Sequence, residues 1–191
     1  MAGLDARLEL GVRWRGGTLD RLIDERHASL VGRVVEILRS AGWLVRIEAS
    51  YAHYGERGSV DVLALHETTR TLLVVEVKSE LTSIEATLRK LDEKVRLAGV
   101  LARDSGWRAE RAARLIVLPA TTTARRAVVR HGALLDVAAP LRGGAFRAWL
   151  KQPAGQVSGL LFVADSTHAT GKYRRSAPHR VRISRVSTRP R

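Results

Sequence analysis

Two carboxylates and a lysine lie close together in the strand-forming part of this 191-residue sequence. Asp61 stands near the start of one apolar run, and Glu76 and Lys78 stand at the end of the next. A charged side chain beside an apolar strand is costly unless it is paired, bound to a metal or used in catalysis. Hard divalent cations prefer oxygen ligands, commonly one or two carboxylates completed by water and substrate phosphate. These residues therefore predict a Mg²⁺ or Mn²⁺ site that hydrolyses phosphodiesters.

The elements that position this group are predicted to be two consecutive strands. Residues 59–78 form two apolar runs separated by a short polar turn. The second run, from Leu72 to Val77, is typical of a strand buried on both faces. Because side chains alternate across a strand, Glu76 and Lys78 are expected on one face, with Asp61 beside them. The alternative is a purely structural carboxylate–lysine pair at the end of a sheet.

The spacing of these residues resembles the signature of the PD-(D/E)XK nucleases, the restriction-endonuclease-like superfamily. The matching residues are Asp61, fourteen intervening residues, and then Glu76-Val77-Lys78. The resemblance implies that Asp61, Glu76 and the backbone carbonyl of Val77 bind the metal, and that Lys78 is the catalytic lysine. Val60 stands where the family has a proline, which is the one departure from the signature.

Two observations bear on the specificity of this match. The sequence Asp92-Glu93-Lys94 also contains an acid and a lysine at the right spacing, but it falls within a predicted helix. Only five of the 33 basic residues are lysines. A chain that uses arginine so strongly still has lysine at position 78, where a compact and deprotonatable ammonium differs chemically from a guanidinium.

Further residues are candidates for accessory roles at this site. Some nucleases of this fold carry a glutamate on the first helix, and His27 or Glu25 is expected to replace it here; the alternative is a structural histidine. Glu48 is either an additional carboxylate near the metal or a solvent-facing residue. Lys94 is expected to contact the phosphate of the cleaved strand, with solvated surface charge as the alternative.

Aromatic and basic side chains predict where nucleic acid binds. Residues 50–58 are expected to form a loop immediately before Asp61, and either this loop binds nucleic acid or it is an ordinary connection. A helix after the lysine motif and a basic helix over residues 121–132 add further positive charge. The predicted nucleic-acid-binding residues are His53, Tyr54, Arg57, Lys90, Arg125 and Arg126.

Composition and charge limit the classes of protein. The chain is 45% hydrophobic and 27% charged, as expected of a globular protein, and it contains no cysteine, which excludes disulfides and thiolate zinc sites. No apolar run approaches the roughly 20 residues of a membrane helix, so a cytoplasmic protein without membrane contact is expected. The formal net charge is +14, and every charged residue after Asp165 is basic. Such a tail suits a polyanionic partner, or only aids solubility.

The predicted fold class is α/β, with a central mixed sheet flanked by helices. The resemblance implies the αβββαβ core of the restriction-endonuclease-like fold. The expected domains are a strand and linker over residues 1–17, a nuclease-like domain over 18–165 and a basic extension over 166–191. The predicted strands are 4–14, 43–49, 60–65, 72–77, 114–119, 133–137 and 159–164, and the predicted helices are 18–41, 82–103, 121–132 and 146–150.

These observations favour a metal-dependent DNA endonuclease. The alternatives are a catalytically inactive nuclease-fold module that binds DNA in transcriptional regulation, and a protein that keeps the fold only as a scaffold. The run from Arg13 to Gly17, together with the lysine motif, also resembles actinobacterial proteins that often carry a helix-turn-helix domain. That resemblance implies a shortened relative or a separate helix-turn-helix partner. A homodimer would suit double-strand cleavage.

Overall fold

The computed structural model describes residues 17–164, which contain six strands and six helices. In chain order they are α1 (Gly17–Ser40), β1 (Leu44–His53), β2 (Glu56–His66), β3 (Thr71–Val77), α2 (Ile84–Arg96), α3 (Ala98–Asp104), β4 (Arg111–Pro119), α4 (Thr122–Arg130), α5 (Gly132–Ala138), β5 (Leu141–Arg142), α6 (Gly143–Lys151) and β6 (Ser158–Val163).

The strands form one mixed sheet in the order β1-β2-β3-β4-β6-β5. The first three strands are antiparallel, whereas β3, β4, β6 and β5 run parallel. Each parallel step is bridged by helices, as a crossover requires. The predicted fold class, a central mixed sheet flanked by helices, is therefore confirmed.

Two apolar cores lie on the two faces of the sheet. Alternate residues of β3 face opposite sides, so that Leu72 and Val74 pack in one core and Leu73 and Val75 in the other. The first core includes side chains from α2 to α5, and the second includes side chains from α1 and α6. All seven residues of β3 are buried, as the apolar run predicts.

Two predicted elements are wrong. Residues 50–58 are not a loop, because β1 continues to His53 and β2 begins at Glu56. Tyr54 and Gly55 alone make the turn, with φ angles of 46° and 86°, the pair of positive values that a tight hairpin requires. Residues 133–137 form helix α5 instead of a strand. Leu135 of α5 and Ala139, the residue after the helix, are four residues apart and buried in the same core, so the run packs along one helical stripe and not across a sheet.

The helix that follows Lys78 also differs from its prediction. It begins at Ile84 and not at Thr82, because Ser83 supplies the cap: its hydroxyl accepts a hydrogen bond from the Ala86 amide at 3.2 Å. The helix ends at Arg96, and α3 follows after Leu97. The predicted strand 4–14 and the basic extension 166–191 lie outside the described residues.

The pairing of β1 with β2 is irregular at one position. The register passes from Ile47↔Val62 to Ala49↔Val60 without a Glu48↔Asp61 pair, and Glu48 has a φ of 50°. Val62 packs in the core on the α1 face, whereas Val60, two residues away, packs in the core on the α2 face. The strands therefore rotate at this point, and Asp61 lies where they do so.

Among the helices of residues 17–164, none combines the length and the apolar character of a membrane span.

We expect Gly159→Ala to destabilise the protein by about 1–3 kcal/mol, the usual cost of overpacking. A Cβ atom at this position would lie 2.2 Å from Cδ2 of the fully buried Phe146 and 3.0 Å from the carbonyl oxygen of Leu141. Urea unfolding measures the effect. Gly32→Ala is the matched control, since a Cβ there meets no atom within 4 Å and alanine favours the middle of α1. Equal unfolding midpoints for the two variants would contradict the packing described here.

Candidate active site

The three residues of the predicted site meet in one cleft of about 320 Å³. Asp61 comes from β2, Glu76 from the end of β3, and Lys78 from the residues directly after β3. The facing wall is the C-terminal half of α2, which contributes Lys90, Glu93 and Lys94. The residues that line the cleft are Tyr51, Arg57, Gly58, Ser59, Asp61, Glu76, Lys78, Lys90, Glu93 and Lys94.

Glu76 is the most deeply buried charged residue of the cleft, with 2% of its surface exposed. It continues the face of β3 on which Leu72 and Val74 pack beneath α2. Its two carboxylate oxygens bind different lysines. Lys78 Nζ lies 2.8 Å from Oε1, and Lys94 Nζ donates a hydrogen bond to Oε2.

The charge of Glu76 is maintained by these lysines. Burial raises the pKa of a carboxyl group, but the hydrogen bonds and positive charges of Lys78 and Lys94 outweigh burial, so the pKa of Glu76 lies below its ordinary value. Lys94 itself is only 6% exposed. The predicted face shared by Glu76 and Lys78 is confirmed by their contact, and Lys94 is a second, closer partner.

The side chain of Asp61 accepts a hydrogen bond from β3 where a backbone carbonyl of β2 would otherwise do so. Its Oδ2 accepts a hydrogen bond of 2.6 Å from the amide of Val77, beyond the last β2–β3 pair, Val62↔Val75. Burial and the nearby charge of Glu76 raise the pKa of Asp61, although the Val77 hydrogen bond and the charges of Lys94 and His27 oppose them. Asp61 and Glu76 are thus close enough to repel each other electrostatically.

The donor set suits a divalent cation in number and type. Because the amide and carbonyl of one strand residue project to the same side, the Val77 carbonyl faces the side on which Asp61 lies. Across residues 17–164, no group of three or more aspartate, glutamate, histidine or cysteine side chains is placed to hold a metal. Two carboxylates with a carbonyl are the protein share of a Mg²⁺ site that water and substrate phosphate complete. Asp61, Glu76 and the Val77 carbonyl would hold such an ion, in competition with the lysines at Glu76.

A tyrosine and a glutamate that sequence reasoning missed join the cleft to α2. Tyr51 donates a hydrogen bond of 2.9 Å to Glu93 Oε1, and burial together with this glutamate raises the pKa of Tyr51 to about 12. The ring of Tyr51 lies across Gly58, where a Cβ would come within 2.6 Å of the tyrosine hydroxyl. Glu93 and Lys94 belong to the second acid–lysine motif of the sequence, so that motif lies at the same cleft and not elsewhere.

Only some of the remaining predicted residues line the cleft. Arg57 and Lys90 line the cleft, and His27 lies near enough to influence the pKa of Asp61. Glu48 is exposed and does not line the cleft. His53 and Tyr54 lie at the β1–β2 turn.

The two arginines predicted to bind nucleic acid, Arg125 and Arg126, are exposed on α4 and outside the cleft. The guanidinium carbon of Arg125 lies 4.5 Å from the centre of the Phe162 ring. Their predicted role in binding stays a prediction.

Comparison with protein-family models and with curated proteins found no match to this chain.

We expect Glu76→Gln to destabilise the protein by about 3–5 kcal/mol, because it leaves the buried Lys94 ammonium without its counter-charge. Adding Lys94→Met to Glu76→Gln should recover much of this loss. The double variant should therefore lose less unfolding free energy than the sum of the losses in the two single variants. Glu56→Gln is the control: it breaks the exposed Glu56–Arg96 pair and should cost no more than about 1 kcal/mol. Urea unfolding of the parent protein, the single variants Glu76→Gln and Lys94→Met, the double variant and Glu56→Gln gives the comparison, and equal losses for Glu76→Gln and Glu56→Gln would contradict the buried pairing.

We expect Asp61→Asn to stabilise the metal-free protein increasingly as the pH rises from about 4, the ordinary pKa of an aspartate, towards the raised pKa of Asp61 in the folded protein. The pKa of Asp61 is raised in the folded protein, so the folded state keeps a proton that the unfolded chain has lost. Stability of the parent protein therefore falls across this interval, whereas asparagine does not titrate. Urea unfolding in chelator at several pH values measures the difference. Glu48→Gln controls for the general effect of removing a negative charge, and a pH-independent difference for Asp61→Asn would refute the raised pKa.

Proposed function

We propose that this protein is a cytoplasmic, divalent-metal-dependent deoxyribonuclease of the PD-(D/E)XK type. The observation that carries the proposal is the convergence of Asp61, Glu76 and Lys78 at the carboxyl end of β3, within one cleft. The three residues lie on adjacent elements of a mixed sheet, in the relation that the sequence signature implies.

Each residue has a distinct part in the proposed hydrolysis. A water oxygen bonds to the phosphorus, the bond from phosphorus to one ester oxygen breaks, the water loses a proton and the leaving oxygen gains one. A bound divalent cation supplies Lewis acidity to this chemistry. Asp61 and Glu76 hold that cation. Lys78, whose side chain is 33% exposed, orients the water or stabilises the negative charge that develops on the phosphoryl oxygens.

The basic side chains at the rim of the cleft support a nucleic-acid substrate. Arg57 on β2 and Lys90 on α2 are exposed residues on its opposite walls. Phosphate contacts of this kind position a strand without reading its sequence. The formal net charge of +14 favours a polyanionic partner as well.

A second candidate function is a DNA-binding module without turnover. It is favoured by the ion pairs of Glu76, since both carboxylate oxygens bind lysines. If those pairs persist when DNA binds, the cleft holds a phosphate with Lys78 and Lys90 while no metal enters. In that case the protein serves a regulatory role.

We expect the protein to cut DNA in the presence of Mg²⁺ or Mn²⁺ and not in chelator. Asp61→Asn should abolish the activity, and Lys78→Met should lower kcat by about 100- to 1000-fold, as loss of one transition-state contact does. The assay uses supercoiled, linear, single-stranded and branched DNA. Lys151→Met, which removes an exposed lysine of α6 outside the cleft, should retain full activity.

Cutting that survives Asp61→Asn would come from a contaminant or from another site, and would contradict the proposal. Salt-sensitive DNA binding without cutting of any substrate would establish the second candidate instead.

A further inference from the structure

The β1–β2 hairpin extends beyond the rest of the sheet. The last β2–β3 pair is Val62↔Val75, whereas β1 and β2 remain paired from Ala49↔Val60 to His53↔Glu56. We call residues 49–60 the arm. No strand of the described chain pairs with the arm on its β3 side, so it leaves the sheet as a two-stranded ribbon.

Two side-chain contacts attach the arm to helix α2. Tyr51 bonds to Glu93 at 2.9 Å, and Glu56 forms an ion pair of 2.5 Å with Arg96. Ala49, Tyr51 and Val60 are buried in the core beneath α2. The arm is therefore held against α2 by these contacts, and they fix the position of its turn relative to the cleft.

The tip of the arm presents an aromatic ring to solvent. Tyr54 is 95% exposed, and its ring centre lies 4.3 Å from that of His53 in an edge-to-face arrangement. Tyrosine has two side-chain torsions, so that immobilising its ring against a ligand costs little entropy. Because 95% of its surface is exposed, the Tyr54 ring has most of its area available to a ligand.

The arm also connects the tip to the cleft. Arg57 and Gly58 line the cleft together with Asp61. Six residues lie between Tyr54 and Asp61, and the distance from the turn to Asp61 is roughly 20 Å along the strand. A stacked nucleic-acid strand advances 3.4 Å for each nucleotide, so the tip lies about six nucleotides from the proposed scissile phosphate.

We infer that the arm is a single-strand-binding platform on which Tyr54 stacks against an unpaired base. The inference rests on the proposed function and narrows its substrate class to DNA with an unpaired segment about six nucleotides from the cleavage point. A base inside a duplex has both faces covered by its neighbours, whereas an unpaired base has a face available to the ring. Arg57 guides the backbone between the tip and the cleft.

The test measures binding without cleavage, in chelator, with the Asp61→Asn protein as the parent. Tyr54→Asn removes the ring and suits the turn, because asparagine tolerates positive φ and asparagine–glycine favours this hairpin. Fluorescence anisotropy should show single-stranded DNA bound about 5- to 150-fold more weakly by this variant, the equivalent of one lost base stack. Duplex DNA of the same length should be bound within about twofold of the parent protein, and Tyr54→Phe should bind both DNAs as the parent does.

A 2-aminopurine scan along a single strand then locates the stacked base. Quenching that depends on Tyr54 should be strongest about six nucleotides from the phosphate that the active protein cuts, or from the protected phosphate in a footprint. Equal loss of single-stranded and duplex binding in Tyr54→Asn, or loss in Tyr54→Phe, would overturn the inference. Tighter binding of single-stranded RNA than of DNA would overturn the assigned substrate class. Because this assay needs neither metal nor turnover, failure of the nuclease proposal leaves its outcome unaffected.

Discussion

The contact between Glu76 and Lys94 is the interaction on which the rest of the cleft depends. It joins the central strand β3 to helix α2 in a place where both side chains are almost entirely buried. Two apolar residues of similar volume would hold a strand and a helix together at least as well as a buried ion pair does. Stability therefore does not explain these charges. Under the proposed function, the carboxylate of Glu76 is a metal ligand, and Lys94 helps to keep that carboxylate ionised.

The sequence predicted the parts of the site that follow from strand alternation. Glu76 and Lys78 share a face because they are two residues apart. The apolar run of β3 predicts that this strand is buried. The position of Lys94 depends on a different signal. The buried residues of α2 are Ile84, Thr87, Leu91 and Lys94, a helical stripe in which the last member is charged. A lysine on a buried helical stripe requires a buried acid, but the sequence does not say which acid.

The composition of residues 50–58 predicts a loop, whereas the structure has the two strands of the arm. Serine, glycine and arginine between residues 50 and 58 resemble loop residues, and only the alternation of Ala49, Tyr51 and His53 indicates a strand. Tyr54 occupies a turn position with positive φ, where glycine or asparagine is the usual signal. Helix α5 was missed for the opposite reason, since its short apolar run has the length and composition of a strand. Tertiary packing along one stripe decides such ambiguous segments.

The balance of charge in the cleft favours an enzyme over a module that only binds. Four cationic side chains, from Arg57, Lys78, Lys90 and Lys94, face three carboxylates, from Asp61, Glu76 and Glu93. A groove built only to hold phosphate would gain nothing from those carboxylates, which repel the strand and repel one another. A divalent cation would make the same cleft strongly positive and would offset both burial and the charge of Glu76, the two causes that raise the pKa of Asp61. Metal and phosphate would then each strengthen the binding of the other, because such coupling is reciprocal. Carboxylates kept at that electrostatic cost are consistent with a cleft that requires its cation.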